Sequence, residues 1–314
     1  MPDLTPEITP LDAPPLPSLP DFDIRRCLAR GGMAEIHLVR VLSGGLRDTD
    51  VVLKRLHPLH AHDPAYVALF VAEARLGEKL VHPHIVQTYE LIQRGDELFI
   101  LQEYVEGCSL AEVLKAGASR EGLLTACDDL LSALEYLHAG GAAPGGPPII
   151  HRDVSPENLV IRADGVGKLI DLGLAEVEGH PDHARTGALA GTPAYMSPEQ
   201  ARGEVIDRRS DVFSAGIVIW EVLAGRPLFR RATEFETLRA VCEETPPPLP
   251  VPESVRHVFE PVVRTALAAN RAKRFASAAE LRRALREAAG RMDAGRNSLT
   301  AAVARCRSAG RVAG

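Results

Sequence analysis

The rhythm of apolar and polar residues changes near position 105. Upstream, short β-prone runs at 36–41 and 51–53 flank the turn-forming stretch SGGLRDTD, and two more, at 85–92 and 97–103, flank Arg94-Gly95-Asp96. Runs of this length bounded by Gly, Asp and Ser read as strands joined by turns. Between the two pairs, from 64 to about 80, Val67, Phe70, Val71 and Ala74 recur at spacings of three and four, the stripe of a helix. This half is expected to be a small, mostly antiparallel sheet with one main helix.

Beyond Gly107 the pattern turns helical. Leu123, Leu130, Leu134 and Leu137 mark one face of a long helix, which the loop AGGAAPGGPP at 139–148 ends. A short hairpin is expected over 159–171 around Ala163-Asp164-Gly165. Residues 211–225 form a helix apolar on nearly all sides, hence buried, and helical patterning continues to about 289. The segment 290–314, rich in Ala, Arg and Gly, is expected to be a frayed helix or disordered. Seven prolines in residues 1–20 exclude regular structure there and predict an extended leader. The resulting organisation is a leader at 1–20, an α+β domain of two lobes at 21–288 (β-rich 21–105, helical 106–288) and a tail at 289–314. Interfaces between such lobes are preferred ligand sites.

Composition sharpens the picture. The 314 residues are 46% hydrophobic and 25% charged, which suits a packed globular chain. A net charge of −6 and only 4% aromatic residues argue against a generic grip on nucleic acid or a base-stacking platform. Five cysteines, Cys27, Cys108, Cys127, Cys242 and Cys306, are scattered without a CxxC pair, which fits a reducing cytoplasm better than a disulfide scaffold or a zinc site. The acidic, Pro-rich start is no signal peptide, and the most apolar stretch, 215–223, is short and broken by Glu221. A cytoplasmic protein without membrane insertion is expected. Lysine occurs only at 54, 79, 115, 168 and 273, as in a GC-rich, bacterial genome.

Five segments carry candidate chemistry. Leu28-Ala29-Arg30-Gly31-Gly32-Met33-Ala34 is either a turn whose backbone N–H groups approach phosphate or a plain hairpin needing positive φ. Lys54 ends a strand and Glu73 follows on the helix; they are either a pair presenting an ammonium group to phosphate or two unrelated surface charges. His151-Arg152-Asp153-Val154-Ser155-Pro156-Glu157-Asn158 offers a carboxylate base and an amide oxygen. Asp171-Leu172-Gly173 offers a carboxylate suited to Mg²⁺. The fifth is Gly191-Thr192-Pro193-Ala194-Tyr195-Met196-Ser197-Pro198-Glu199.

In this order the five segments match the Gly-rich loop, strand lysine, helix glutamate, catalytic loop, metal-binding aspartate and A-P-E region of protein kinases. The chain resembles that family over about residues 22–288, and most of all bacterial serine/threonine kinases, in which a Gly-Gly-Met-Ala loop and a Gly-Thr-Pro-x-Tyr-Met-x-Pro-Glu string occur together. The resemblance implies the bilobal kinase fold and transfer of the ATP γ-phosphoryl group to protein Ser/Thr hydroxyls, with Mg²⁺, or Mn²⁺ in its place. It assigns Lys54, paired with Glu73, to the α/β-phosphates and Asp153 to the substrate hydroxyl. Asn158 and Asp171 take the metals. Ala29, Arg30, Gly31, Gly32, Met33, Ala34 and Ile36 line the nucleotide; Glu103 and Val105 form the adenine-reading hinge, with Gln102 just before it. It also implies a Glu199–Arg274 pair, bracing of the catalytic loop by Asp211, a hydrogen bond from Thr192 to Asp153, and Thr186 as a phosphorylated switch read by Arg152.

The chain departs from the pattern at Ala29 and Ala34, where glycines are usual, at Leu172 for Phe, and at Ser155 for a lysine whose charge lies near the γ-phosphate. Ser155 and Ala29 keep open an ATP-binding scaffold with little phosphoryl transfer; a small-molecule phosphotransferase is disfavoured by 191–199. His57, His60 and His62 read as a metal cluster or as an ordinary loop, His151 as a structural histidine, and Glu157 as a reader of basic substrate side chains or a structural acid. Input is expected from a regulatory partner or the termini.

Overall fold

The computed structural model describes residues 21–141, 145–173, 175–178, 191–290 and 295–312; the expected leader and Thr186 lie outside them. The chain divides into two compact units. One comprises the chain up to Arg75 together with Thr88–Tyr104; the other comprises Leu76–Gln87 and everything from Val105 onward.

The first unit is a five-stranded antiparallel sheet: β1 (Phe22–Arg30), β2 (Ala34–Val41), β3 (Asp50–Leu56), β4 (Thr88–Arg94) and β5 (Glu97–Glu103), in the order β1-β2-β3-β5-β4. Helix α1 (Pro64–Gly77) covers one face. The two-residue period of a strand sorts the side chains. Val51 and Leu53 join Val39, Val41, Phe99 and Leu101 in a core on one face. Leu56, Leu98 and Ile100 join Phe70 and Ala74 of α1 on the other. The expected strand over 85–92 starts only at Thr88. Ile85 and Val86 belong to the second unit, where Val86 N donates to the Leu169 carbonyl at 2.9 Å and Leu169 N to that of His84 at 2.8 Å.

The second unit is mainly helical. Its short strands are β6 (Gly107–Ser109), β7 (Ile149–Ile150), β8 (Leu159–Arg162), β9 (Gly167–Leu169) and β10 (Glu176–Val177). They form the sheet β6-β8-β9 and the pair β7-β10. The helices are α2 (Leu110–Lys115), α3 (Arg120–His138), α4 (Pro198–Ala201), α5 (Arg209–Ala224), α6 (Glu234–Glu243), α7 (Glu253–Ala266), α8 (Ala278–Ala289) and α9 (Gly295–Val312). Helix α3 begins at the Ser119 cap, whose side chain accepts from Gly122 N. Leu123, Leu130, Leu134 and Leu137 are all buried, as their spacing requires. Every residue from Ser210 to Leu223 of α5 is buried. At Gly216 a Cβ would sit 2.8 Å from that of Ala266, so glycine permits the close approach of α5 to α7.

The tail carries a helix, one of the two forms expected of it, but packed rather than frayed. Helix α9 is docked on the unit, with Leu299, Ala302 and Val303 fully buried. Arg296 grips the buried carboxylate of Asp129 at 2.5 and 2.7 Å, and Ser119 N donates to Ser298 Oγ at 2.7 Å. Leu299, Ala302, Val303 and Cys306 keep helical spacing, a stripe obscured by the Ala/Arg-rich composition. Among the described residues no helix is long and apolar enough to cross a membrane.

Candidate active site

In the first unit, period two places Lys54 on the face of β3 that α1 covers, opposite Ile36 of β2 and Ile100 of β5. Glu73 lies one helical turn from Phe70 and next to Ala74, on the buried stripe of α1. The two meet: Lys54 Nζ donates to Glu73 Oε1 at 2.7 Å, with both side chains almost wholly buried. A lone buried ammonium would be costly, and its carboxylate partner keeps it charged and aimed. The opposite face holds a network the sequence reading missed. Arg55, 2% exposed, is bonded to Glu97 (Nε to Oε1, 2.9 Å) and lies 3.5 Å from Glu35, which also approaches His37. Burial pulls His37 below the ordinary histidine value despite Glu35.

The Gly-rich turn links β1 to β2. Ala29 and Arg30 are the last residues of β1; Ala34 and Ile36 lie on β2. Gly31 N donates to the Ala34 carbonyl at 2.9 Å, His57 N to that of Met33 at 2.9 Å, and His60 Nε2 to that of Gly32 at 3.0 Å. Neither Gly31 nor Gly32 has positive φ, so the turn does not need glycine for backbone conformation. Nothing lies within 4 Å of a Cβ built on Gly32, so a side chain would find room there. Ala29, paired with Ile36 in the ladder, has the extended conformation any residue adopts. His60 stacks on Tyr66 at 3.8 Å between centroids; no metal-ligating group among the described residues includes His57, His60 or His62. Glu103 pairs with Val51 at the end of β5, with Gln102 beside it donating to Thr88 Oγ1 at 3.2 Å. Val105 opens the second unit.

In the second unit the loop between β7 and β8 is fixed from below by Asp211 of α5. Asp211 Oδ1 accepts from Arg152 N at 2.9 Å; Oδ2 accepts from His151 N at 2.8 Å and from His138 Nε2 at 2.9 Å. Ala278 N points at His138 Nδ1, so the proton sits on Nε2. Burial works to raise the Asp211 carboxyl. The hydrogen bonds from His138 Nε2 and the His151 N–H outweigh it and hold the group below the usual carboxylate range. Arg152 adopts φ +70°, and Gln200 Nε2 holds its carbonyl at 2.9 Å.

Asp153 and Asn158 are locked together. Asn158 Nδ2 donates to the Asp153 carbonyl at 2.9 Å and to Asp153 Oδ2 at 2.8 Å. Both amide hydrogens are thereby used, and the amide oxygen is the group left for a cation. Thr192 donates to Asp153 Oδ1 through its N and its Oγ1, both at 2.8 Å. Gly191 beside it has φ +118°, and a Cβ there would lie 3.2 Å from the Arg152 carbonyl. Ile170 N donates to the Asn158 carbonyl at 2.8 Å, which places Asp171 next along the backbone. Asp171 is exposed, has φ +63°, and accepts from Gly173 N at 3.0 Å. Strained φ values of this kind in non-glycine residues gather at functional positions. Ser155 is 1% exposed, and its Oγ has no hydrogen-bond partner among the described residues.

The flanking segment is braced by a buried ion pair. Arg274 donates to both oxygens of Glu199, at 2.6 and 2.8 Å, and Ser210 Oγ adds a third bond at 2.8 Å. Burial raises the Glu199 carboxyl, but Arg274 more than offsets this and the group ends below its ordinary value. Tyr195 donates to Glu221 Oε2 at 2.8 Å; burial pushes both groups up. His138, Gln200 and Glu221 were missed in the sequence because each acts on a partner 26 to 73 positions away. Glu157 lies 3.8 Å from Arg230, both half exposed.

Hard oxygen donors at Asn158 and Asp171 fit Mg²⁺, and the Glu73-held ammonium of Lys54 fits a phosphate. Comparison with known proteins agrees with this chemistry. The protein kinase domain family matches residues 28–284. The tyrosine-protein kinase MasK of Myxococcus xanthus is 35% identical over 81% of this chain and 40% of its own length. The serine/threonine-protein kinase drp72 of Corynebacterium efficiens is 33% identical over 85% and 50%. The serine/threonine-protein kinase PknB of Mycobacterium tuberculosis is 34% identical over 83% and 42%. The chain thus spans two fifths to half the length of these relatives. With the matched region reaching from the Gly-rich turn past Arg274, the chain belongs to the protein kinase family.

Proposed function

We propose that the chain transfers the γ-phosphoryl group of ATP to serine or threonine hydroxyls of proteins. The observation that carries this reading is the state of Asp153. Its carboxylate is oriented at both oxygens by Thr192 and Asn158, as a group that aligns an incoming hydroxyl must be. Lys54, set by Glu73, would hold the α/β-phosphates. The turn Ala29–Ala34 and Ile36 would cover the nucleotide, and the backbone at Glu103 and Val105 would read the adenine. Asn158 and Asp171 would hold Mg²⁺, which when bound neutralises the phosphate charge. The substrate oxygen bonds to the γ-phosphorus as the bond from that phosphorus to the β–γ bridging oxygen breaks; ADP leaves, and the hydroxyl proton passes toward Asp153. Autophosphorylation, with Thr186 as the acceptor, would regulate the enzyme.

Relatives named for tyrosine and for serine/threonine both match, so the acceptor is part of the test. Purified chain is incubated with γ-labelled ATP and Mg²⁺ beside Asp153→Asn and Lys54→Met, and the labelled product is hydrolysed for phosphoamino-acid analysis. Label on serine and threonine is expected from the wild type, falling about 10²–10⁴-fold in Asp153→Asn. Equal label in all three would refute the reading. It would favour an ATP-binding scaffold, to which the buried, uncharged Ser155 in place of lysine points.

A further inference from the structure

Far from Asp153 in sequence, the structure gathers two thiols and a carboxylate from opposite ends of the second unit. The Sγ atoms of Cys108 and Cys306 and a carboxylate oxygen of Glu112 all lie within 4.8 Å of one another. No other such group occurs among the described residues. Cys108 is the buried middle residue of β6, Glu112 lies in the first turn of α2, and Cys306 is on the docked stripe of α9.

The three groups are held in place by other contacts. Glu112 Oε2 accepts from Ser109 N at 2.7 Å and Ser109 Oγ at 3.0 Å, which fixes the carboxylate beside the thiols. Cys108 Sγ donates toward the Val303 carbonyl at 3.9 Å. Arg305 donates to the carbonyls of Ala116 and Gly117 at 3.0 and 3.1 Å, and Arg307 pairs with Glu106, so α9 is fastened on both sides of Cys306.

We propose that Cys108, Glu112 and Cys306 form a zinc site that clamps α9 to β6 and α2. Two thiolates and a carboxylate are a donor set for Zn²⁺ rather than for Mg²⁺ or Ca²⁺. Thiolates about 2.3 Å from a tetrahedral ion stand roughly 3.8 Å apart, within the observed limit. Each thiol loses its proton to solvent as its sulfur bonds the ion, and water completes the tetrahedron. The hydrogen bonds on Glu112 are the outer contacts that hold a metal ligand.

The test uses the full chain, freed of metal by chelation and then titrated with Co²⁺ and Zn²⁺. One equivalent of Co²⁺ should give thiolate charge-transfer and tetrahedral visible bands, which Zn²⁺ then displaces. Cys306→Ser should abolish the bands, whereas Cys27→Ser, at an exposed thiol on β1, should not change them. Glu112→Gln retains the capping box, since Gln serves at that position as well as Glu. It should keep the melting temperature of the metal-free chain and weaken Zn²⁺ binding by at least the roughly 10-fold that loss of even an outer contact costs. As a second readout, Zn²⁺ should slow amide exchange across α9 in the wild type and not in Cys306→Ser. Absence of thiolate bands, bands undiminished in Cys306→Ser, or a Cys108–Cys306 disulfide forming in place of metal binding would each overturn the proposal.

Discussion

Asp211→Asn isolates the support beneath the catalytic loop. Two carboxylate oxygens accept from three buried donors, His151 N, Arg152 N and His138 Nε2. Asparagine has one acceptor oxygen, so whichever way its amide turns, its NH₂ group faces at least one buried N–H. A hydrogen bond to a charged acceptor contributes about 1.5–3 kcal/mol, and an orphaned buried donor costs about 1–3 kcal/mol. The substitution should therefore destabilise the fold by roughly 3–5 kcal/mol, a large share of the ~5–15 kcal/mol typical of a protein. With a urea dependence of ~3 kcal/mol per molar, the unfolding midpoint should fall by about 1 M or more. Because Arg152 N is what Asp211 holds at φ +70°, phosphoryl transfer should fall at temperatures where the variant is still folded, with ATP affinity little changed. An unchanged midpoint together with unchanged transfer would refute the bracing role.

Gly191→Ala forces a side chain into φ +118° against the Arg152 carbonyl, and should cost ~1–3 kcal/mol by chemical denaturation and slow phosphoryl transfer. Leu299→Ala removes a fully buried side chain from α9 and should cost about 2–5 kcal/mol, read as a lower melting temperature and faster amide exchange in α9. Glu199 and Asp211 both titrate below their ordinary values when folded. Between those values the unfolded chain binds more protons, so their stabilisation is complete above pH 4.5 and is lost as pH falls through the folded values. Glu199→Gln should flatten that acid limb in denaturation midpoints measured against pH. Glu221, raised by burial, has the opposite sign: its share of stability declines as pH rises from 4.5 toward its folded value, and Glu221→Gln should remove that decline.

Much of the fold was legible because local rules and tertiary structure agree. The period-two face of β3 points Lys54 to α1, the three-and-four spacing of α1 turns Glu73 back, and the leucines of α3 are all buried. Ile85 and Val86 read as strand because their β-prone chemistry says nothing of which sheet they join; they pair with the Leu169 region instead. Of the two readings of the turn at Gly31 and Gly32, the plain hairpin needing positive φ is not what the structure shows, since two glycines in sequence do not reveal why they are there. The bracing of Asp153 by Thr192 and of Glu199 by Arg274 was expected from family resemblance. The His138 bond to Asp211 was not, because a histidine at a helix end gives no local sign of a distant partner.

Helix α9 has a consequence for where the folding unit stops. The region matched by the protein kinase domain ends at residue 284, within α8, yet the carboxylate of Asp129, 1% exposed, takes its guanidinium from Arg296. An excision at the family limit would strip that counter-charge and remove the buried Leu299, Ala302 and Val303 in one cut. Asp129 would keep the Gly167 N–H at 2.8 Å but lose its guanidinium, and removing one partner of a buried ion pair costs up to about 3–5 kcal/mol before any apolar loss is added. The packed unit extends past the matched region, and its last helix acts as a keystone.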